Sequence, residues 1–511
     1  MLRRSGAARA LITAAFAAAV VGLVPRSAQG AGPGDRAAAP VAITYTYPYF
    51  TATAPRDLPA VQDAINAILA PRINVTVQLQ AQSFAAFDQK MRLMFAAGQS
   101  CDVVFTAPWT NNFYQLVANG DLIPLTRLLP TLAPKTYASL PAAAWKAATV
   151  NGQIYGVINQ QMFPVFWGLQ VRRDLATKYH LSLAGVRALD DVTPILARLK
   201  AADPAVTPLV TDDTGGGVAY QPETYGLDPV LPGSQNIFIA AVGAPDRGLR
   251  VVDPSETPAF KHAAEVAWKW HQAGYTPRDL IPSAQATAEF QAGKFGAVLG
   301  QARPSAAEAA KSKAGLGYDM VGQSFTKPIL TTRSVTSTMS GICRTSAHPE
   351  AAMRFLELLN TDKQVYNLMA HGIPGKDYVV VDKANGVIGL PPGATVTSDG
   401  YYPNTDWEFG NQFNAYYTDR SQIGSWAIQQ AVNRQATPSV ALGFAPSTAS
   451  IKTQVAQVTA AIQQYGEPLV KGLVDPATGL PAFIHALKAA GEDQILANLQ
   501  AQINTWKATN K

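Results

Sequence analysis

The sequence predicts an α/β fold spread over more than one domain. Three observations carry that expectation. Short apolar runs bounded by turn residues alternate with stretches of helical spacing, the order of a parallel sheet wrapped by helices. One such run, Val103-Val104-Phe105, lies between Asp102 and Pro108 and is apolar throughout, as a strand buried on both faces is. The chain has 511 residues, too many for one ordinary core.

Taken in order, Ile43 to Tyr47 reads as the first strand, with Tyr47, Tyr49 and Phe50 at its carboxyl end. Leu58, Val61, Ile65 and Ile68 share a helix face that Pro71 is expected to stop. Val75, Val77 and Leu79 alternate as a second strand. Phe87, Met91, Met94 and Phe95 mark a helix ended by Gly98. After Val103 to Phe105 comes Trp109-Thr110-Asn111-Asn112, then a helix through Phe113, Leu116 and Val117 with Gly120 as its C-terminal cap. Gly152 to Val157 is a tight turn and strand leading into Asn159-Gln160-Gln161. Phe163 to Leu169 is a further apolar run containing Trp167. Helices are expected at 174–179, 192–202 and 260–274, and a strand at Phe295 to Leu299 ending on Gly300-Gln301. Val335 to Ile342 reads as a strand. Pro349 opens a helix whose buried face is Ala352, Phe355, Leu356 and Leu359. Ile451, Val455, Val458 and Ile462 form another such face, and helices run from Phe483 to Trp506.

Net charge is +6, but Arg3, Arg4, Arg9 and Arg26 fall in the first thirty residues, leaving 37 basic against 35 acidic residues beyond them. No dense basic run remains for a nucleic acid, so no nucleic-acid partner is expected. Those thirty residues read as a secretory signal: Arg3-Arg4, the apolar run Ala10 to Val24, and the small residues Ala28 and Gly30, predicting cleavage before Ala31. A Gly/Ala/Pro-rich linker follows, to about residue 41.

Catalytic signatures are missing from the sequence. There is no G-x-S-x-G, and the six histidines fall in no H-E-x-x-H pattern. Two cysteines are too few for a structural zinc, and no metal or cofactor is expected. Gly215-Gly216-Gly217 lacks the Gly-Lys-Ser/Thr of a phosphate loop, and Asp212-Asp213 reads as solvated charge. Asp406 and Glu408 flank Trp407 and are the best paired carboxylates for glycoside hydrolysis.

What the sequence offers instead is aromatic residues beside amides at expected strand ends: Tyr49, Trp109, Trp167 and Trp407 with Asn111, Asn112, Gln160, Gln161, Gln301, Asn411 and Gln412. In open α/β sheets, ligands sit beyond the carboxyl ends of strands. Rings pack on the C–H faces of sugars, and an amide offers both a donor and an acceptor to a hydroxyl. Two readings stay open for several of these residues. Thr110, Asn111 and Asn112 also suit the N-terminal turn of a helix, and Trp167 also suits a core.

Several segments resemble the family 1 extracellular solute-binding proteins of ABC importers, in the lipoprotein-type subset with its own C-terminal domain. They are FTAPWTNN (105–112) with GDLIPL (120–125), VNGQIYGVINQQ (150–161), HPEAAMRFLELLNTD (348–362), HGIPGKDYVVVD (371–382), WEFGNQF (407–413) and LKAAGEDQILANLQAQINTW (487–506). The resemblance implies a type II periplasmic-binding-protein fold: a first lobe of residues 42–157 and 328–398, and a second of 158–327 and 399–511, joined by a hinge. It implies a carbohydrate, most simply an oligosaccharide, bound between the lobes with Glu408 among its contacts, and delivery to permease subunits by a monomer that is not an enzyme. A peptide or polyamine ligand and a carbohydrate-active enzyme are the alternatives. Trp109 and Trp407 are expected on opposite walls. Relatives carry a lipid-anchor cysteine after the signal, which this sequence lacks, so a soluble exported protein or one held by an uncleaved signal is expected. In an oxidising compartment Cys101 and Cys343 are expected to pair.

Overall fold

The computed structural model describes residues 39–51, 53–212, 219–234, 237–243, 249–302, 316–396, 398–403 and 405–509. The expected signal, nearly all of the linker and most of the 211–217 loop lie outside them. The chain begins as β1 (Val41–Tyr49), α1 (Leu58–Ile73), β2 (Val75–Ser83), α2 (Phe84–Ala96), β3 (Val103–Thr106) and α3 (Phe113–Asn119). After short helices and a hairpin comes β4 (Gly156–Ile158). Then follow β5 (Trp167–Arg172), β6 (Thr207–Leu209), β7 (Phe295–Gln301) and β8 (Met320–Ser324). The chain returns through β9 (Met339–Ile342), α4 (Pro349–Thr361) and α5 (Lys363–His371).

The first sheet has the order β2-β1-β3-β9-β4. β2, β1 and β3 are parallel, as two successive strand–helix–strand crossovers require. β9 enters antiparallel between β3 and β4, so the sheet is mixed. The second sheet has the order β8-β5-β7-β6. A three-stranded antiparallel sheet (Leu227–Ser234, Ile237–Gly243, Val251–Val252) stands beside it in the chain.

Two large cores result. One gathers β1 to β4, β9, α1, α4 and α5; the other gathers β5, β7, the helix Pro258–Gln272 and the C-terminal helices. Ala352, Phe355, Leu356 and Leu359, the expected buried face of α4, are all fully buried in the first. The helices Pro476–Ala489 and Glu492–Thr509 pack Phe483, Leu487, Ile495, Leu499 and Ile503 into the second, so the C-terminal segment shares the second lobe's core.

Three expectations are corrected. Residues 399–442 are expected in the second lobe, yet Tyr401, Phe409, Ala415, Trp426, Ala436 and Leu442 are buried in the first core, and Ala441 alone among the buried apolar residues of the segment joins the second. Polar anchors hold this segment there: the Tyr401 hydroxyl donates to the Met369 carbonyl (2.8 Å) and the Asn414 side-chain amide to the Asn360 carbonyl (2.8 Å). Pro71 does not stop α1. It lies inside the last turn, where its missing N–H costs a single bond, and the helix ends at left-handed Asn74 (φ 52°). The returning strand begins at Met339 rather than Val335, because Thr332–Val335 forms a helical turn capped by Thr331.

Cys101 and Cys343 are buried, their Cα atoms are 5.8 Å apart and their sulfurs lie at bonding distance. They join the start of β3 to the end of β9. Among the described residues, no helix is long and apolar enough to cross a membrane.

Candidate functional site

Because β2, β1 and β3 are adjacent and parallel, their carboxyl ends form one edge. Phe50 follows β1 directly, Phe84 follows β2 directly, and Trp109 lies three residues beyond β3. All three rings are exposed, at 39, 42 and 38%. They meet one another and Trp407. The Phe50 ring centroid is 4.7 Å from that of Phe84 and 5.4 Å from that of Trp407, and the Trp109 centroid is 5.8 Å from Phe84 and 6.2 Å from Trp407. Four aromatic side chains thus make a contiguous apolar platform on the first sheet's edge. Monomeric proteins seldom leave such a patch exposed without a use.

The platform is braced. The Trp109 indole N–H donates to the Ser337 carbonyl (2.6 Å), and the Thr338 hydroxyl donates to the Trp407 carbonyl (3.3 Å). Both tryptophans are therefore tied to the two residues that lead into β9. This corrects the expectation of opposite walls: Trp109 and Trp407 stand on one wall, because the segment carrying Trp407 packs on the first core. Tyr49, the last residue of β1, is half-buried behind Phe50 in the chain.

Most of the expected amides are spent inside the fold. The Asn111 amide donates to the Phe105 carbonyl (2.8 Å), and its backbone N–H donates to Asp88 Oδ1 (2.6 Å), which fixes a left-handed residue (φ 42°). Asn112 caps α3: its Oδ1 accepts from the Gln115 N–H (3.1 Å) while Nδ2 donates to the Pro108 carbonyl (2.9 Å). The helix-turn reading holds for Asn112, whereas Asn111 is held back onto the end of β3 and caps no helix N–H among the described residues. Gln160 and Gln412 are buried and joined through backbone, Gln412 N–H donating to the Gln160 carbonyl (2.9 Å) and Gln160 N–H to the Gly410 carbonyl (2.7 Å). Gln161 is buried and donates to the Thr338 hydroxyl (2.8 Å), and Asn411 caps a short turn at Phe413.

Trp167 and Gln301 lie in the second sheet, paired in register on β5 and β7. Trp167 is 6% exposed and belongs to the second core, so it does not join the platform. Gln301 is exposed, and its carbonyl accepts from the Gln170 amide (2.6 Å).

Glu408 is wholly buried, which removes it from any ligand surface and ends its pairing with Asp406 as a hydrolytic couple. Burial holds its carboxyl well above the usual carboxylate range, partly offset by the neighbouring Thr405 hydroxyl. It sits near the hydroxyls of Tyr45, Tyr47 and Tyr401, whose own ionisation is pushed up first by burial and further by Glu408.

Sequence reasoning missed Phe84 as a site residue and did not carry Phe50 from strand end to site. The signal was present, since each stands immediately after a parallel strand. Beside Trp109, on the side of α2 and α3, a cavity of about 390 Å³ opens between Asp88, Arg92, Asn112, Gln115 and Asn119.

Residues 64–376 match the family model of the bacterial extracellular solute-binding proteins. The chain belongs to that family. Residues 440–508 match a domain of unknown function, DUF3502, which here contributes to the second core. A carbohydrate ABC transporter substrate-binding protein of Streptococcus pneumoniae serotype 4 (strain ATCC BAA-334 / TIGR4) is 24% identical over 460 residues, 87% of either chain. The crystal structure of the N-glycan transport solute binding protein NgtS from Streptococcus pneumoniae superposes with a TM-score of 0.79, at 21% identity, over 92% of this chain and 100% of that one. The same protein in complex with Man5GlcNAc gives 0.69 at 21% identity, over 92% of this chain and 99% of that one. These likenesses establish the two-lobed α/β solute-binding fold.

Proposed function

We propose that this protein captures an oligosaccharide for an ABC importer, and that the ligand rests on Phe50, Phe84, Trp109 and Trp407. The platform carries this reading: three rings, each more than a third exposed, at the carboxyl ends of adjacent parallel strands, with Trp407 against them. Such rings suit the C–H faces of a sugar, and burying them against it supplies affinity without charge. The carbohydrate-binding relatives agree with a sugar ligand.

Delivery rests on closure about the hinge, the motion of two-lobed binding proteins. A ligand shifts open to closed only by the difference in its affinity for the two states, so the second lobe must add contacts on closing. The chain acts as a monomer without catalysis, alongside separate permease subunits. Its first thirty residues direct export, and in the oxidising space beyond the membrane Cys101 and Cys343 form a disulfide that closes a loop of 242 residues. Denatured, unreduced protein should then show no reactive thiol.

The test is a panel of neutral oligosaccharides scored by thermal shift, by chromatography for new products and by small-angle scattering. A stabilising sugar that is recovered intact and lowers the radius of gyration is the expected result. A cleaved sugar, or stabilisation by peptides or polyamines alone, would overturn the reading.

A further inference from the structure

We propose that the cavity beside Trp109 is a second sugar subsite, holding the outer units of a neutral oligosaccharide whose first unit lies on the aromatic platform. The inference rests on the platform reading and extends it. Phe84, Asp88 and Arg92 stand at i, i+4 and i+8 on α2 and so line one stripe of that helix. Phe84 belongs to the platform, while Asp88 and Arg92 wall the cavity. At ~1.5 Å per residue the stripe carries the surface about 12 Å away from Phe84. Trp109 belongs to both regions, so the surface passes from rings to polar groups without a break. Gln115 on α3 supplies the facing wall.

The chemistry of the walls fits hydroxyls. Asp88 Oδ1 is held by the Thr110 hydroxyl (2.7 Å) and the Asn111 N–H (2.6 Å), which fixes the carboxylate in place. Its other oxygen takes no bond among the described residues. Arg92 is exposed and makes no ion pair there, and the exposed Gln115 side-chain amide is also unengaged. A carboxylate accepts, a guanidinium donates and an amide does both, which together match vicinal hydroxyls that do both. Asp88 and Asp121 against Arg92 leave the lining net negative, so an acidic sugar is disfavoured. Neither the platform nor the engaged amides account for this polar wall.

The experiment titrates the parent and the double variant Arg92→Ala/Gln115→Ala calorimetrically. The probes are a short and a long member of each neutral series: Man1GlcNAc with Man5GlcNAc, and malto-, cello- and xylo-oligosaccharides of two and six units. Both replaced side chains are exposed, and circular dichroism verifies the fold. The long sugar of the bound series should weaken about tenfold in the double variant, the size of one or two lost hydrogen bonds. The short one should bind within twofold of the parent. Unchanged affinity for the long sugar overturns the subsite and leaves the platform standing, as does equal weakening for both lengths. A parent that binds no sugar of any series overturns the platform reading and the subsite with it.

Discussion

Trp109 and Trp167 share a residue type, one beside the polar residues of a turn and the other inside an apolar run, and the fold uses them in opposite ways. Trp109 stands three residues beyond β3, in a turn fixed by Asp88, and more than a third of it is exposed. Trp167 is the first residue of β5, in register with Gln301, and is buried in the second core. A side chain within a ladder is aimed at one sheet face and takes whatever covers that face. A side chain past the strand's end is aimed by its turn, and here the turn presents the ring outward. Trp407 and Glu408 repeat the contrast between neighbours, since the first lies on the platform and the second is wholly buried.

The largest effect should come from Trp167→Ala. Emptying a packed tryptophan site is expected to cost ~3–5 kcal/mol of stability in denaturant titrations. Trp109→Ala should cost below ~1.5 kcal/mol in the same assay, as a surface change does. Equal losses would abolish the distinction drawn between the two.

Binding should reverse that order. Trp109→Ala and Trp407→Ala should each weaken the sugar by ~1–3 kcal/mol, a factor of roughly five to 150. Calorimetry on folded variants decides it, and parental affinity in both would make the platform a structural cluster only.

Glu408 sharpens the contrast with Trp407 through pH. Unfolded, it ionises at about 4.3. Folded, it keeps its proton far above that, so the native state binds more protons than the unfolded state over the interval between. Its contribution to stability is therefore full below about pH 4 and is lost as pH rises towards the folded value. Asp228, pushed up to about 7 first by burial, adds to the same slope in the parent. Glu408→Gln cannot ionise, so urea titrations at pH 5 and pH 8 should show it losing less stability across that interval than the parent does. Parallel losses would mean that Glu408 is ionised in the folded protein.

The smallest change tests the turn that presents Trp109. Asn112→Ala removes the side-chain cap of α3 and should cost about 1 kcal/mol by thermal denaturation. A variant as stable as the parent would show that the cap is dispensable.

Local features of this protein were legible because short-range chemistry sets them. The strands at Ile43, Val75 and Val103, the buried face of α4 and the left-handed end of α3 at Gly120 (φ 73°) follow from alternation, helical spacing and the freedom of glycine at positive φ. The parallel order of the first three strands follows from their alternation with helices, and that order alone puts Trp109 at a strand end. Periodicity says which face of a segment is apolar but names no partner for it. Hence the sequence by itself did not say that residues 399–442 pack on the first core, because Tyr401, Phe409 and Trp426 find their covering surface on segments far away in the chain. Nor did it say that Glu408 is buried, which requires Tyr45, Tyr47 and Tyr401 to converge on it. The platform itself arose in the same way. Phe50, Phe84 and Trp109 each obey a local rule of position, but they become one surface only when parallel pairing aligns three strand ends and the returning segment adds Trp407 beside them.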